Sequence, residues 1–184
     1  MICKLRQVAL VLPMFGLCFA ACGDDPARDG DNADNDAAEP VTLSGVFVDG
    51  VVSGLRFATA SQAGLTNATG EFTYLAGETV TFSLGGIVLG SVLGAARVTP
   101  FDLFGLTPPS TELTLRTALL EYRSVSDFDR VANIALFLQA LDNDRNLDNG
   151  VDLAGWDEKL ANATLSFDEE VTRFPFEGFD RFAA

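Results

Sequence analysis

From Val41 onward, apolar and polar positions alternate in short runs separated by turn residues. Val41–Asp49 (VTLSGVFVD) is β-branched and aromatic and closes on an Asp49-Gly50 turn signal. Leu55–Thr59 alternates, Glu71–Leu75 sets Phe72 and Tyr74 on one face, and Thr79–Leu84 does the same with Val80, Phe82 and Leu84. Gly85-Gly86 interrupts the chain before Ile87–Leu89 and a further apolar pair, Val92-Leu93. Ser61–Gly70 is small and polar and reads as a connection. Short strands divided by glycine turns predict an antiparallel β-sandwich or partial barrel over about residues 41–100.

Past Pro100 the period becomes helical. Residues 101–110, with Pro108 and Pro109, read as a loop packed by Phe101, Leu103 and Phe104. Thr111–Tyr122 carries Leu113, Leu115, Leu119 and Leu120 and predicts a helix. Ser126 followed by Asp129 is a helix-start pattern, and Val131, Ile134, Ala135, Leu138 and Leu141 then recur at helical spacing, giving a helix over Asp127–Leu141. Asp157–Ala163 reads as a shorter helix, and Leu165–Phe167 and Phe174–Phe176 as returning strands or as cover for the core. The fold class is therefore α+β, mainly β with helices. Residues 41–184 form one mixed domain, with strands over 41–100 and a helical and C-terminal part over 101–184.

The first forty residues follow another pattern. Lys4 and Arg6 precede an apolar stretch, Val8–Ala21, broken only by Pro13 and Gly16. It falls short of the roughly 20 helical residues that span a bilayer, and suits a secretory signal instead. Its end, Phe19-Ala20-Ala21-Cys22, resembles the lipobox of bacterial lipoproteins, with Phe19 where that family usually has Leu. The resemblance implies a signal peptide over 1–21, a diacylglycerol- and palmitate-bearing Cys22, and a membrane-anchored place in the bacterial cell envelope, at the outer membrane or cell surface. Cys3 and Cys18 would leave with the signal, so no intramolecular disulfide is expected. Gly23–Pro40 holds seven acids, one base (Arg28) and no large apolar residue, which makes 22–40 an acidic disordered tether.

Composition narrows the function. Hydrophobic residues make up 48% and charged residues 21%, as in a globular chain. The absence of histidine removes Ser–His triads, Cys–His dyads and His-ligated zinc. A formal charge of -14 repels phosphate backbones and argues against a nucleic-acid partner. With 15 Phe against 2 Tyr and 1 Trp, the aromatics suit a core better than a sugar-binding face. Phe174, Phe176, Phe179 and Phe182 crowd the C-terminal part and read as packing onto the sheet, or as an apolar edge for a partner. The spacing Gly86, Gly90, Gly94 lies in an apolar run too short for a membrane span and points to turns and tight sheet corners. Asp157-Glu158 and Glu169-Glu170 read as solvated faces.

Two further patterns resemble known modules. Gly45-Val-Phe-Val-Asp49, Gly54 and Thr66-Asn-Ala-Thr-Gly70-Glu-Phe72-Thr-Tyr74 resemble the carboxypeptidase regulatory-like (prealbumin-like) β-sandwich, and the run Gly77–Gly86, with Leu89-Gly90 and Val98-Thr-Pro100, resembles a module frequent in bacterial secreted and lipid-anchored proteins. That resemblance implies an accessory module for stability or contact and carries over no catalytic residue. Asp142-Asn-Asp-Arg-Asn-Leu-Asp148 places oxygen side chains at Asp142, Asp144, Asn146 and Asp148, as calcium loops do. It resembles the short loops of dockerin-like modules. It departs from an EF-hand at Leu147, in place of Gly, and at Leu153, in place of the closing Glu. The alternative is an acidic turn that ends a helix. Together these features lead to a lipid-anchored, non-enzymatic envelope module for structure, adhesion or protein contact, with calcium at the loop and an envelope protein as partner. A small-ligand or glycan-binding lipoprotein is the alternative. A glycoside hydrolase working with carboxylates alone ranks third.

Overall fold

The computed structural model describes residues 40–119, 125–171 and 173–174. The chain is mixed α+β, mostly β. The N-terminal part contributes β1 (Thr42–Phe47), β2 (Val52–Ser53), β3 (Arg56–Ala58), β4 (Ala63–Leu65), β5 (Glu71–Leu75), β6 (Thr79–Leu84), β7 (Ile87–Leu93) and β8 (Arg97–Val98). Then follow α1 (Glu112–Leu119), α2 (Asp127–Ala140), β9 (Val151–Asp152) and α3 (Trp156–Lys159).

The strands form three sheets, ordered β5-β1-β8, β4-β3-β6-β7 and β2-β9. The second is antiparallel throughout, whereas β1 runs parallel to β8 and β2 parallel to β9. Three expectations are corrected here. The described strands do not make a partial barrel, the sheets are not purely antiparallel, and strand pairing extends beyond residue 100 to β9. The Ser61–Gly70 connection contains β4, whose Ala-Gly-Leu sequence has no alternation to betray it. Ile87–Leu89 and Val92-Leu93 belong to one strand, with a register shift opposite Phe82/Ser83.

Alternation determines what is buried. Phe72 and Tyr74 point inward from β5, and Val80, Phe82 and Leu84 point inward from β6. The inner faces of the two larger sheets meet through rings: Phe82 lies 4.7 Å from Phe47 and 5.1 Å from Phe72, the latter edge-on. Gly94 lets Tyr74 lie flat, since a Cβ there would come 2.2 Å from the ring.

Helix α2 covers this core with Ile134, Phe137 and Leu138. It starts on a full capping box: the Ser126 hydroxyl accepts the Asp129 amide, and the Asp129 carboxylate accepts the Ser126 amide. Residues 161–171 cover α2 as irregular chain rather than as a strand. Asn133 on α2 donates to the carbonyls of Phe167 and Glu169, Asp129 accepts the Val171 amide, and Phe167 and Phe174 insert into the core. Phe176, Phe179, Phe182 and the end of the expected Thr111–Tyr122 helix lie outside the described residues.

Asp157 corrects another expectation. It is buried rather than solvated; its carboxylate pairs with Arg56 of β3 and accepts the Gly85 amide at 2.9 Å. The Arg56 guanidinium, with help from the Gly85 amide, holds the Asp157 carboxyl below its usual range.

Two measurements check this packing. Phe82→Ala should cost about 3–5 kcal/mol in urea denaturation, and Leu113→Ala, at an exposed site on α1, less than about 0.5 kcal/mol. A lowered folded-state pKa makes the Asp157 contribution fully present above the unfolded carboxylate value, 3.8, and lost as pH falls below it. Asp157→Asn should therefore flatten the pH dependence of the melting temperature below that value and lower stability at neutral pH.

Candidate functional site

Leu141 ends α2, and the next residue, Asp142, is turned inward with 4% of its surface exposed. A carboxylate so placed needs donors in place of water. It finds two backbone amides: Asn146 reaches Oδ2 and Asp152 reaches Oδ1, both at 2.9 Å. The first bond curls the loop, and the second ties the helix end to β9.

Asp144 shares the first of these donors. Its Oδ1 accepts the Asn146 amide at 2.9 Å and its Oδ2 accepts the Asn149 carboxamide at 2.7 Å. The Asn149 carboxamide, and then the Asn146 amide, hold the Asp144 carboxyl below its ordinary value. Arg145 between them adopts the left-handed conformation, φ 58°, that such a tight turn imposes. Asn146 accepts the Asp148 amide through its own side chain at 3.4 Å, so Asp148 joins the loop through its backbone.

The carboxylates of Asp142 and Asp144 thus meet on the backbone amide of Asn146, whose side chain turns instead to the Asp148 amide. Among the described residues no three His, Cys, Asp or Glu side chains are grouped so as to hold a metal ion. Two carboxylates and backbone carbonyls are what the loop offers a hard cation. Cys22 lies outside the described residues.

Alternation at 142, 144, 146 and 148 did not reveal the loop's other partners. Asn143 donates its amide to the Asp152 carbonyl and its side chain to the Ala154 carbonyl, and accepts the Trp156 indole N–H at 3.1 Å. The signal for it was an Asn preceding the only Trp, too weak to use alone. Gly150 seats the loop against β2: its φ is +104°, and a Cβ there would lie 2.5 Å from the Val51 carbonyl oxygen.

Beside the loop is a cleft of about 350 Å³ lined by Val51, Ser53, Ala68, Asp144, Asn149 and Asp152, among others. A larger one, about 540 Å³, lies between α1 and the start of α2, walled by Leu106, Pro108, Pro109, Ala118 and Phe128. Paired-carboxylate hydrolysis needs one carboxyl with a raised pKa. Burial raises that of Asp49, which faces Gln139 and lines neither cleft. The cleft with two carboxylates contains Asp144, whose pKa is lowered.

No protein-family model, curated protein or solved structure matches this chain.

Removing Asp142 strands the Asp152 amide and takes one of two acceptors from the Asn146 amide, whereas removing Asp148 leaves the loop's hydrogen bonds in place. Asp142→Ala should cost about 3 kcal/mol in urea denaturation carried out in chelator, and Asp148→Ala less than about 0.5 kcal/mol. Asp142→Asn, which keeps one oxygen, should fall between them.

Proposed function

We propose that the chain is a lipid-anchored protein of the bacterial envelope, carrying a non-enzymatic β-sandwich-like module for structure, adhesion or contact with another envelope protein. The observation that carries this reading is Phe19-Ala20-Ala21-Cys22, set behind a basic start and a short apolar stretch and ahead of an acidic tether. The carboxypeptidase regulatory-like resemblance adds the accessory character of the module. The aromatic contacts between the two larger sheets support the sandwich reading. Exposed Val88 and Leu93 on β7, with Leu65 on β4, support a role in contact. The lack of histidine supports the non-enzymatic reading.

Cys22→Ser should move the protein from the membrane fraction to the soluble one. Each buried CH₂ of an acyl chain contributes about 0.8 kcal/mol, so losing the chains removes the anchor. Mass spectrometry of the mature protein should find acyl groups on Cys22, and a bare amino terminus there contradicts the reading.

A second reading adds calcium at Asp142, Asp144, Asn146 and Asp148. Its support is the convergence of Asp142 and Asp144, whose mutual repulsion a divalent cation relieves. Leu153 supplies no closing carboxylate, so affinity should be modest, on the order of 10⁻⁴–10⁻³ M. The melting temperature should rise in millimolar calcium relative to chelator. An unchanged value makes the loop a hydrogen-bonded turn and nothing more.

The small-ligand or glycan alternative draws support from the polar cleft beside the loop, where Ser53, Asn149 and Asp152 offer donors and acceptors.

A further inference from the structure

The acidic loop ends on Asn149-Gly150, the dipeptide in which asparagine is most open to attack by its own backbone, because glycine has no side chain to screen the following amide. Asn149 is exposed to water, and its carboxamide nitrogen rests on Asp144 Oδ2 at 2.7 Å. Asp144 is itself held, through Oδ1, by the Asn146 amide. On the other side Gly150 is fixed against the Val51 carbonyl. The Asn149 carboxamide is thus tied back to the loop while the backbone after it is pinned to β2.

We propose that Asn149-Gly150 is a latent deamidation site that Asp144 holds closed. In the reaction the Gly150 amide nitrogen, giving its proton to solvent base, bonds to Cγ of Asn149. The Cγ–Nδ2 bond breaks, ammonia leaves with a proton from water, and a five-membered imide remains. A second water opens the imide to aspartate or to isoaspartate, with no oxidant or reductant involved. While Nδ2 is bonded to Asp144, the side chain cannot swing its Cγ over the Gly150 nitrogen. Once the reaction has occurred it does not reverse. The donor to Asp144 is replaced by a second carboxylate, and the two repel. An isoaspartate also lengthens the backbone just before β9, whose Val151 and Asp152 pair with Val52 and Ser53. Deamidation would thus release the loop from β2, an ageing reaction set by one hydrogen bond.

The test is incubation of the intact protein at mildly alkaline pH and 37 °C in chelator, followed by peptide mapping of the segment between Arg145 and Lys159 for aspartate and isoaspartate at 149. Asp144→Ser should deamidate about tenfold faster than the wild type, the factor that a charge-assisted hydrogen bond of ordinary strength sets on the released side chain. Asp144→Asn, which keeps one neutral acceptor for two donors, should deamidate at a rate between those of the wild type and Asp144→Ser. Urea-unfolded wild type gives the unprotected rate, and melting curves establish that each variant is folded. Equal rates in folded wild type and folded Asp144→Ser overturn the proposal, as does a folded wild type that deamidates as fast as the unfolded chain.

Discussion

A carboxylate moved out of water needs donors that replace its hydration. At the end of α2 the donors are backbone amides from two stretches of chain, Asn146 four residues on and Asp152 ten residues on. Burying Asp142 therefore fixes more than a turn. It sets where the loop closes, brings Val151 and Asp152 alongside β2, and leads the chain into α3. There Asp157 repeats the device, meeting Arg56 of β3 and the Gly85 amide from the β6–β7 turn. Two buried carboxylates thus fasten the helical part of the chain to the strands that precede it. Contacts among the rings of Phe47, Phe72 and Phe82 link those strands.

The parts legible in the sequence are those governed by local periodicity. Val80, Phe82 and Leu84 alternate because one face of β6 is buried, and Ser126 with Asp129 marks the start of α2 by a local exchange of hydrogen bonds. What was not legible depends on contacts between distant residues. The two-residue strand β9 exists because Asp142 and β2 hold it, and nothing in Val151-Asp152 alone announces a strand. The parallel pairing of β1 with β8 joins residues about fifty apart. Phe137 of α2, which the periodic reading passed over, is buried and meets Phe167 edge-on, whereas Ala135 is only half-buried. Asp157 looked like a surface residue beside Glu158, and only its distant partner Arg56 explains its burial.

The candidate site divides in the same way. Spacing singled out Asp142, Asp144, Asn146 and Asp148, and the structure brings the carboxylates of the first two onto the backbone amide of the third. Spacing did not reveal that backbone amides occupy both oxygens of Asp142, or that Asn149 occupies one of Asp144. A loop satisfied in this way folds on its own hydrogen bonds, and a cation would add to an arrangement already formed. On the proposed envelope reading, such a loop stiffens the module. The exposed apolar residues of β4 and β7 are then free to meet a partner.

Amide hydrogen exchange, read residue by residue in chelator at neutral pH, tests the central role of Asp142 most directly. If its carboxylate organises the loop, the amides of Asn146 and Asp152 exchange slowly and in step with Val151, whose N–H bonds the Val51 carbonyl. Exchange of the Asn146 and Asp152 amides at the rate of an unstructured chain, with Val151 still protected, would contradict it.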